Sequence, residues 1–292
     1  MTAFSQFFAI GLSLGALSMP SYAGTAVSKV VYPMGEIPND TRFNDVIEIL
    51  CLALEKTRAR YGDYECLPSS GVMPKKRFLQ ELEQSNHEIN VIWNPTSEEM
   101  ERRFAPIRIS LRKDLLGYRV ALILRQNQAK IDSVKTRQDL KKLSFGQGAG
   151  WIDNVIYQAH DINVVQAQYS QLIKMLSAKR FDMFPRGVGE ILAEYESNAK
   201  DNPDVVIEKN LLIYYPFPYY FFFNREDKAI RERVEAGLRM MQKDGSFDAI
   251  FNKYHQSSIE KLNLKERRII RLDNPLLPKN TPPDALRSWS VK

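Results

Sequence analysis

Arg186 ends the run Phe181-Asp182-Met183-Phe184-Pro185 and is followed by Gly187. An arginine there could hold a carboxylate or phosphate through two parallel hydrogen bonds. It could equally be consumed in an internal ion pair with Glu98 or Glu190. Gly146-Gln147-Gly148-Ala149-Gly150 precedes a helical stretch. Its backbone N–H groups could hold an anion at the start of that helix, with Gln147 and Trp151 alongside, or it is a plain turn. Trp93 and Trp151 could sandwich a ring or a sugar, or pack into a core. Arg108 could join them or lie exposed. Glu98 could act as a general acid beside a cleft; its plain alternative is a solvated or ion-paired glutamate. His87, His160 and His255 pair with no serine or cysteine nucleophile by any motif. No histidine or third cysteine stands at ligand spacing, so no metal site is expected, and no cofactor.

These residues sit among alternating strand and helix signals. Residues 27–32 read as a strand ended by Pro33 and Gly35. Residues 41–60 read as a helix with Phe43, Val46, Ile47, Leu50, Cys51 and Leu54 on one stripe, and Asp40 as its cap. Strand 64–67, helix 75–84 and strand 89–93 follow. This order predicts a mostly parallel sheet with helices on its faces. Such sheets place ligands at the carboxyl ends of strands, here Tyr32 and the run Trp93, Asn94, Thr96. An extended stretch over 107–124 is broken at Gly117. The rhythm then restarts through helix 136–142, strand 143–146, helix 151–159, strand 163–167, helix 169–178, strand 181–184 and helix 188–195. The aromatic run 211–224 reads as strand and core rather than a base-stacking surface. Helices 230–241 and 247–254 and an extended, proline-bearing tail from 264 complete the chain.

The chain has 292 residues, 44% hydrophobic and 26% charged, as an ordinary globular protein does. Its net charge is +6, but lysine and arginine are spread among acids. The densest cluster, Lys265-Glu266-Arg267-Arg268, is short and contains an acid, so a nucleic-acid partner is not expected. The first 23 residues lack any charged side chain and end in Ser21-Tyr22-Ala23. They read as a cleaved signal peptide, the apolar run being short for a membrane span and no basic residue preceding it; an uncleaved anchor is the alternative. An exported chain with two cysteines, Cys51 and Cys66, invites a disulfide; two unpaired buried thiols are the alternative.

Three passages give this order of parts a family likeness. They are Phe104-Ala105-Pro106-Ile107, the stretch 140–150 with Leu176-Ser177-Ala178-Lys179-Arg180-Phe181-Asp182, and Lys243-Asp244-Gly245-Ser246-Phe247-Asp248-Ala249-Ile250-Phe251-Asn252-Lys253-Tyr254. Over residues 27–262 the chain resembles the bacterial extracellular solute-binding proteins of family 3, as a divergent member. The resemblance implies a two-lobed, type II periplasmic-binding-protein α/β fold with two hinge crossings. Lobe 1 would take residues 24–117 and 222–292, and lobe 2 residues 118–221. It implies a periplasmic monomer that closes on a small solute and delivers it to an inner-membrane ABC permease. The alternatives are a ligand-sensing accessory to a signalling partner, or an enzyme on the same fold.

The resemblance also shows where this chain departs. Family members that bind amino acids hold the carboxylate with an arginine, at a position that falls on Glu98 here. They hold the ammonium with an aspartate, which falls near Gly187. Both anchors are absent, and an unpaired charge buried against a zwitterion is costly. The residues expected at the cleft are therefore Tyr32, Trp93, Asn94, Thr96, Arg108, Gln147, Trp151 and Arg186. They suit an anionic or aromatic solute.

Overall fold

The computed structural model describes residues 27–35, 41–279 and 281. The expected leader and the expected cap Asp40 lie outside the described residues.

The chain begins with β1 (Ser28–Tyr32), α1 (Asn44–Lys56), α2 (Arg58–Tyr61), β2 (Tyr64–Pro68), α3 (Lys75–Glu83), β3 (Ile92–Pro95), α4 (Glu98–Arg103) and β4 (Ala105–Ile107). A second run follows: β5 (Tyr118–Leu124), α5 (Gln128–Asp132), α6 (Arg137–Leu140), β6 (Ser144–Gly148), α7 (Asp153–Ala159), β7 (Asn163–Ala167), α8 (Tyr169–Ser177), β8 (Met183–Gly187), α9 (Ile191–Asn198), β9 (Val205–Ile207) and β10 (Leu211–Tyr214). The last part is β11 (Tyr219–Phe223), α10 (Lys228–Asp244), α11 (Ser246–Lys261) and β12 (Arg268–Arg271).

These strands form two separate sheet regions, the basis of a two-lobed α/β fold. In the first, β1 pairs parallel with β2, and β11 lies antiparallel between β3 and β4. Val31 C=O accepts from the N–H groups of Asn90 and Val91, which ties β1 to the start of β3. In the second region the order is β12-β10-β5-β8-β6-β7, with β9 also on β5. There β6 runs parallel to β7 and β8, while β5 is antiparallel to β8, β9 and β10.

Strand periodicity decides which face each residue joins. In β11, Tyr219, Phe221 and Phe223 enter the core beneath α1 and α10, while Tyr220 and Phe222 enter the core beneath α3 and α4. A strand buried on both faces reads as an unbroken apolar run. Each such side chain contributes about 1.5–3 kcal/mol by leaving water. In β5, Tyr118, Val120, Leu122 and Leu124 face one core, and Ala121 and Ile123 the other.

Two placements differ from the sequence expectation. The return to the first sheet begins at Tyr219 rather than at 222, because Tyr219 already pairs with Pro95. The tail does not simply wrap lobe 1. Its residues Arg268–Arg271 add a parallel strand beside β10 in the second sheet, where Ile270 is buried. Alternation in Arg-Ile-Ile-Arg carries that strand; its charged ends hid it in the sequence.

The chain crosses between the sheets after β4, again between β10 and β11, and a third time between α11 and β12, where Leu262 and Leu264 are buried in the second core. The first two crossings touch: a Cβ on Gly117 would lie 2.2 Å from the Tyr215 carbonyl oxygen, so only glycine permits this approach. Asp114, in the left-handed region at φ 57°, accepts the Phe217 N–H at 2.8 Å and the Tyr214 hydroxyl. Cys51 on α1 and Cys66 on β2 form a disulfide with a Cα–Cα separation of 5.8 Å. Closing a loop of this length contributes about 3 kcal/mol.

Candidate functional site

The carboxyl ends of β1 and β3 open onto a cavity of about 170 Å³. That volume is near the ~150 Å³ that admits a benzene-sized group. Pro33 and Met34 line it from the end of β1, and Trp93 and Asn94 from β3. Phe43, Ile47, Met73, Phe78 and Tyr219 complete an apolar wall, with Arg42 and Lys75 as its cations. The position of these groups follows from packing. Trp93 is 8% exposed, its ring centroid 5.9 Å from Tyr32 and 5.5 Å from Phe43. Tyr32 is half-buried and braces the tryptophan from outside the cavity wall; burial raises its pKa. Of the residues expected from the sequence, Trp93 and Asn94 line this cavity; Phe43 just before α1, Ile47 on α1 and Phe78 on α3 were not among them. Phe43 and Ile47 lie on the stripe already assigned to the core, and that stripe serves both ends.

Thr96 and Arg108 form a separate support. Both reach Glu101: the Thr96 hydroxyl donates at 2.8 Å, and the Arg108 guanidinium makes a two-pronged ion pair. Thr96 is buried, and the Arg108 side chain is 47% exposed. Neither lines the apolar cavity.

A second cavity, of about 590 Å³, separates Ser97, Glu98 and Glu99 from Gly150, Trp151, Asn154 and Gln166, with Pro275 and Leu276 at its wall. Trp151 stacks on Phe184 at 6.2 Å, and the Arg186 guanidinium lies 4.5 Å from the indole centroid. Of the two alternatives read for Trp93 and Trp151, packing against neighbouring rings is the one seen here. Each ring packs within its own half of the molecule. Gln147 is 1% exposed; its Nε2 donates to the Pro185 carbonyl and its Oε1 has no partner among the described residues. Asn154, at 5% exposure, likewise leaves Oδ1 unpartnered, while its Nδ2 donates to Gly148 and Gln166. Buried acceptors of this kind are costly unless a donor arrives.

Arg186 is internally paired, but not with Glu98. Its Nε and Nη2 each lie 2.6 Å from the Glu194 carboxylate, and Glu190 is 3.0 Å away. Burial alone would lower its pKa; the Glu194 hydrogen bond and the two acidic charges raise it above the ordinary arginine value. Of the two partners read from the sequence, Glu190 lies within ion-pair distance, and Glu194 is the addition.

The same polar cluster explains Gly187. A Cβ there would stand 3.1 Å from Arg119 Nη1 and 3.1 Å from Glu190 Oε2. An aspartate side chain has no room where Arg119 already lies. Arg119 is 7% exposed, pairs with Asp153 at 2.9 Å, and donates to the Tyr215 hydroxyl at 2.6 Å. Burial alone would lower its pKa, and Asp153 raises it well above the ordinary value. Sequence reasoning missed Arg119; a lone charge inside the apolar strand Tyr118–Leu124 was its signal. Among the described residues no cluster of three histidine, cysteine or acidic side chains could hold a metal.

No protein-family model matches the chain, and no curated protein matches it. Solved structures do. YckB from Bacillus subtilis aligns at a TM-score of 0.54 and 14% identity, over 79% of this chain and 90% of that one. The probable amino-acid ABC transporter extracellular-binding protein YtmK from Bacillus subtilis aligns at 0.52 and 14%, over 78% and 97%. A Streptococcus mutans structure, described for glutathione import via GshT and the cystine importer TcyBC, aligns at 0.50 and 11%, over 79% and 95%. Among the described residues no helix is long and apolar enough to cross a membrane. The chain has the two-lobed α/β fold of the extracellular substrate-binding proteins.

Proposed function

We propose that this chain is an exported solute-binding protein that captures a small solute between its lobes for an ABC permease. Lobe 1 comprises the sheets β1-β2 and β3-β11-β4, and lobe 2 the sheet of β5–β10 and β12. The observation that carries this reading is the apolar cavity at the carboxyl ends of β1 and β3, walled by Trp93. Its lining favours an aromatic or branched apolar group, and Arg42 and Lys75 favour an anionic one. Glu98 and Gly187 stand where amino-acid carriers place their charge anchors, so an α-amino acid in the usual pose is disfavoured. The disulfide supports export to an oxidising compartment.

A thermal-shift screen of the mature chain against aromatic acids, organic acids, sugars and phosphorylated metabolites identifies the class. A ligand at a hundredfold excess over Kd stabilises the folded state by about 2.7 kcal/mol. Calorimetry with the strongest hit then tests the site. Trp93→Ala is expected to weaken binding roughly ten- to hundredfold, matching the apolar area it contributes. Unchanged affinity would remove the lobe-1 cavity from the site.

A further inference from the structure

After β12 the chain does not leave the molecule. Leu272 N–H donates to the Tyr214 carbonyl at 2.7 Å, and its side chain is buried in the lobe-2 core. The Asp273 carboxylate pairs with Arg137 at 3.0 Å, and its backbone meets the His160 ring at the same distance. Asn274 Nδ2 then donates to the Pro216 carbonyl in the second crossing, and its Oδ1 accepts from Leu276 N–H. Finally the Leu276 carbonyl accepts from Glu98 N–H at 3.1 Å. Glu98 is the first residue of α4 in lobe 1, and its N–H is one that a helix start leaves without an intrahelical partner. Pro275 and Leu276 line the cavity between Glu98–Glu99 and Trp151.

We infer that residues 272–276 form a further tie between the lobes, beyond the three chain crossings, which limits how far the cleft opens and walls its mouth beside Trp151. The strap is held to lobe 2 and the crossing by several contacts, and to the start of α4 by the Glu98–Leu276 hydrogen bond. A larger opening must break that bond. The inference rests on the two-lobed geometry alone and needs no solute.

The test uses the ligand-free protein with nitroxide labels at Lys142→Cys and Arg239→Cys. These side chains are 73% and 61% exposed, one in each lobe. The native cysteines are joined and do not take label. Glu98→Pro removes only the donor and the side chain, because proline is favoured at the first helical position. Glu98→Ala removes the side chain and keeps the donor. Glu98→Pro is expected to lengthen the mean interlobe distance and widen its distribution; Glu98→Ala is expected to match the parent. A chain ending at Asn274 should behave as Glu98→Pro does. The inference is overturned if Glu98→Pro or the shortened chain superimposes on the parent, or if Glu98→Ala widens the distribution equally.

Discussion

Replacing Asp45 by alanine is expected to lower folding stability by about 3–5 kcal/mol at pH 7, the cost of leaving a buried partner charge unpaired. Asp45 is 3% exposed on α1. Arg112 reaches it with Nε at 2.6 Å and Nη2 at 2.7 Å, and His255 Nε2 lies at 3.0 Å. The arginine comes from the segment before the first crossing and the histidine from α11, so one carboxylate joins three parts of the first half of the fold. Burial alone would raise the Asp45 pKa; the hydrogen bonds from His255 and Arg112 overcome it and hold the carboxyl well below its ordinary value. A carboxyl held low contributes stability above its ordinary pKa and loses it as pH falls below about 4. Urea unfolding across pH 3–7 checks both statements. The double variant Asp45→Leu with Arg112→Met should recover part of the loss, since neither charge is then stranded. A loss under about 1 kcal/mol for Asp45→Ala would contradict the account.

Asp114→Asn is expected to do the reverse at the hinge and to stabilise the protein at pH 8. Asp114 is 2% exposed, and among the described residues no cation is paired with it. Burial pushes its pKa up to about 7; the bonds from the Tyr214 hydroxyl and Phe217 N–H draw it down without offsetting that. The ordinary value is 3.8. Below that value folded and unfolded chains are both protonated, and the full stability is present. Between there and about 7 the folded chain keeps a proton that the unfolded chain has released. Stability therefore falls as pH rises, by about 1.4 kcal/mol per pH unit and about 4 kcal/mol in all. Asparagine cannot ionise and keeps an oxygen for Phe217 N–H. The difference between the two proteins in urea unfolding should thus grow from pH 4 to 7 and then level off. Parallel profiles would show that Asp114 titrates as an ordinary carboxylate.

The aromatic run 211–224 was legible as strand and core because both of its faces are buried, which removes alternation and leaves a continuous apolar signal. Trp93 and Asn94 were legible because a strand end is a sequence signal and ligand cavities form there. The short helices α4 and α5 carry too few periodic positions to register. The pairing of Arg186 with Glu194 and the filling of Gly187 by Arg119 were not legible for another reason. Each depends on which side chains of β5, β8 and α9 share a buried face, and only strand pairing decides that. The strap was hidden because its tie to α4 joins a backbone N–H to a backbone carbonyl, groups that every residue type supplies.

The central claim is that the two lobes shut on a small solute. The same Lys142 and Arg239 label pair, measured with and without the strongest hit of the thermal screen, tests it most directly. The account predicts that saturation shortens the interlobe distance and narrows its spread. A compound that raises the melting temperature while the distance stays unchanged would contradict it.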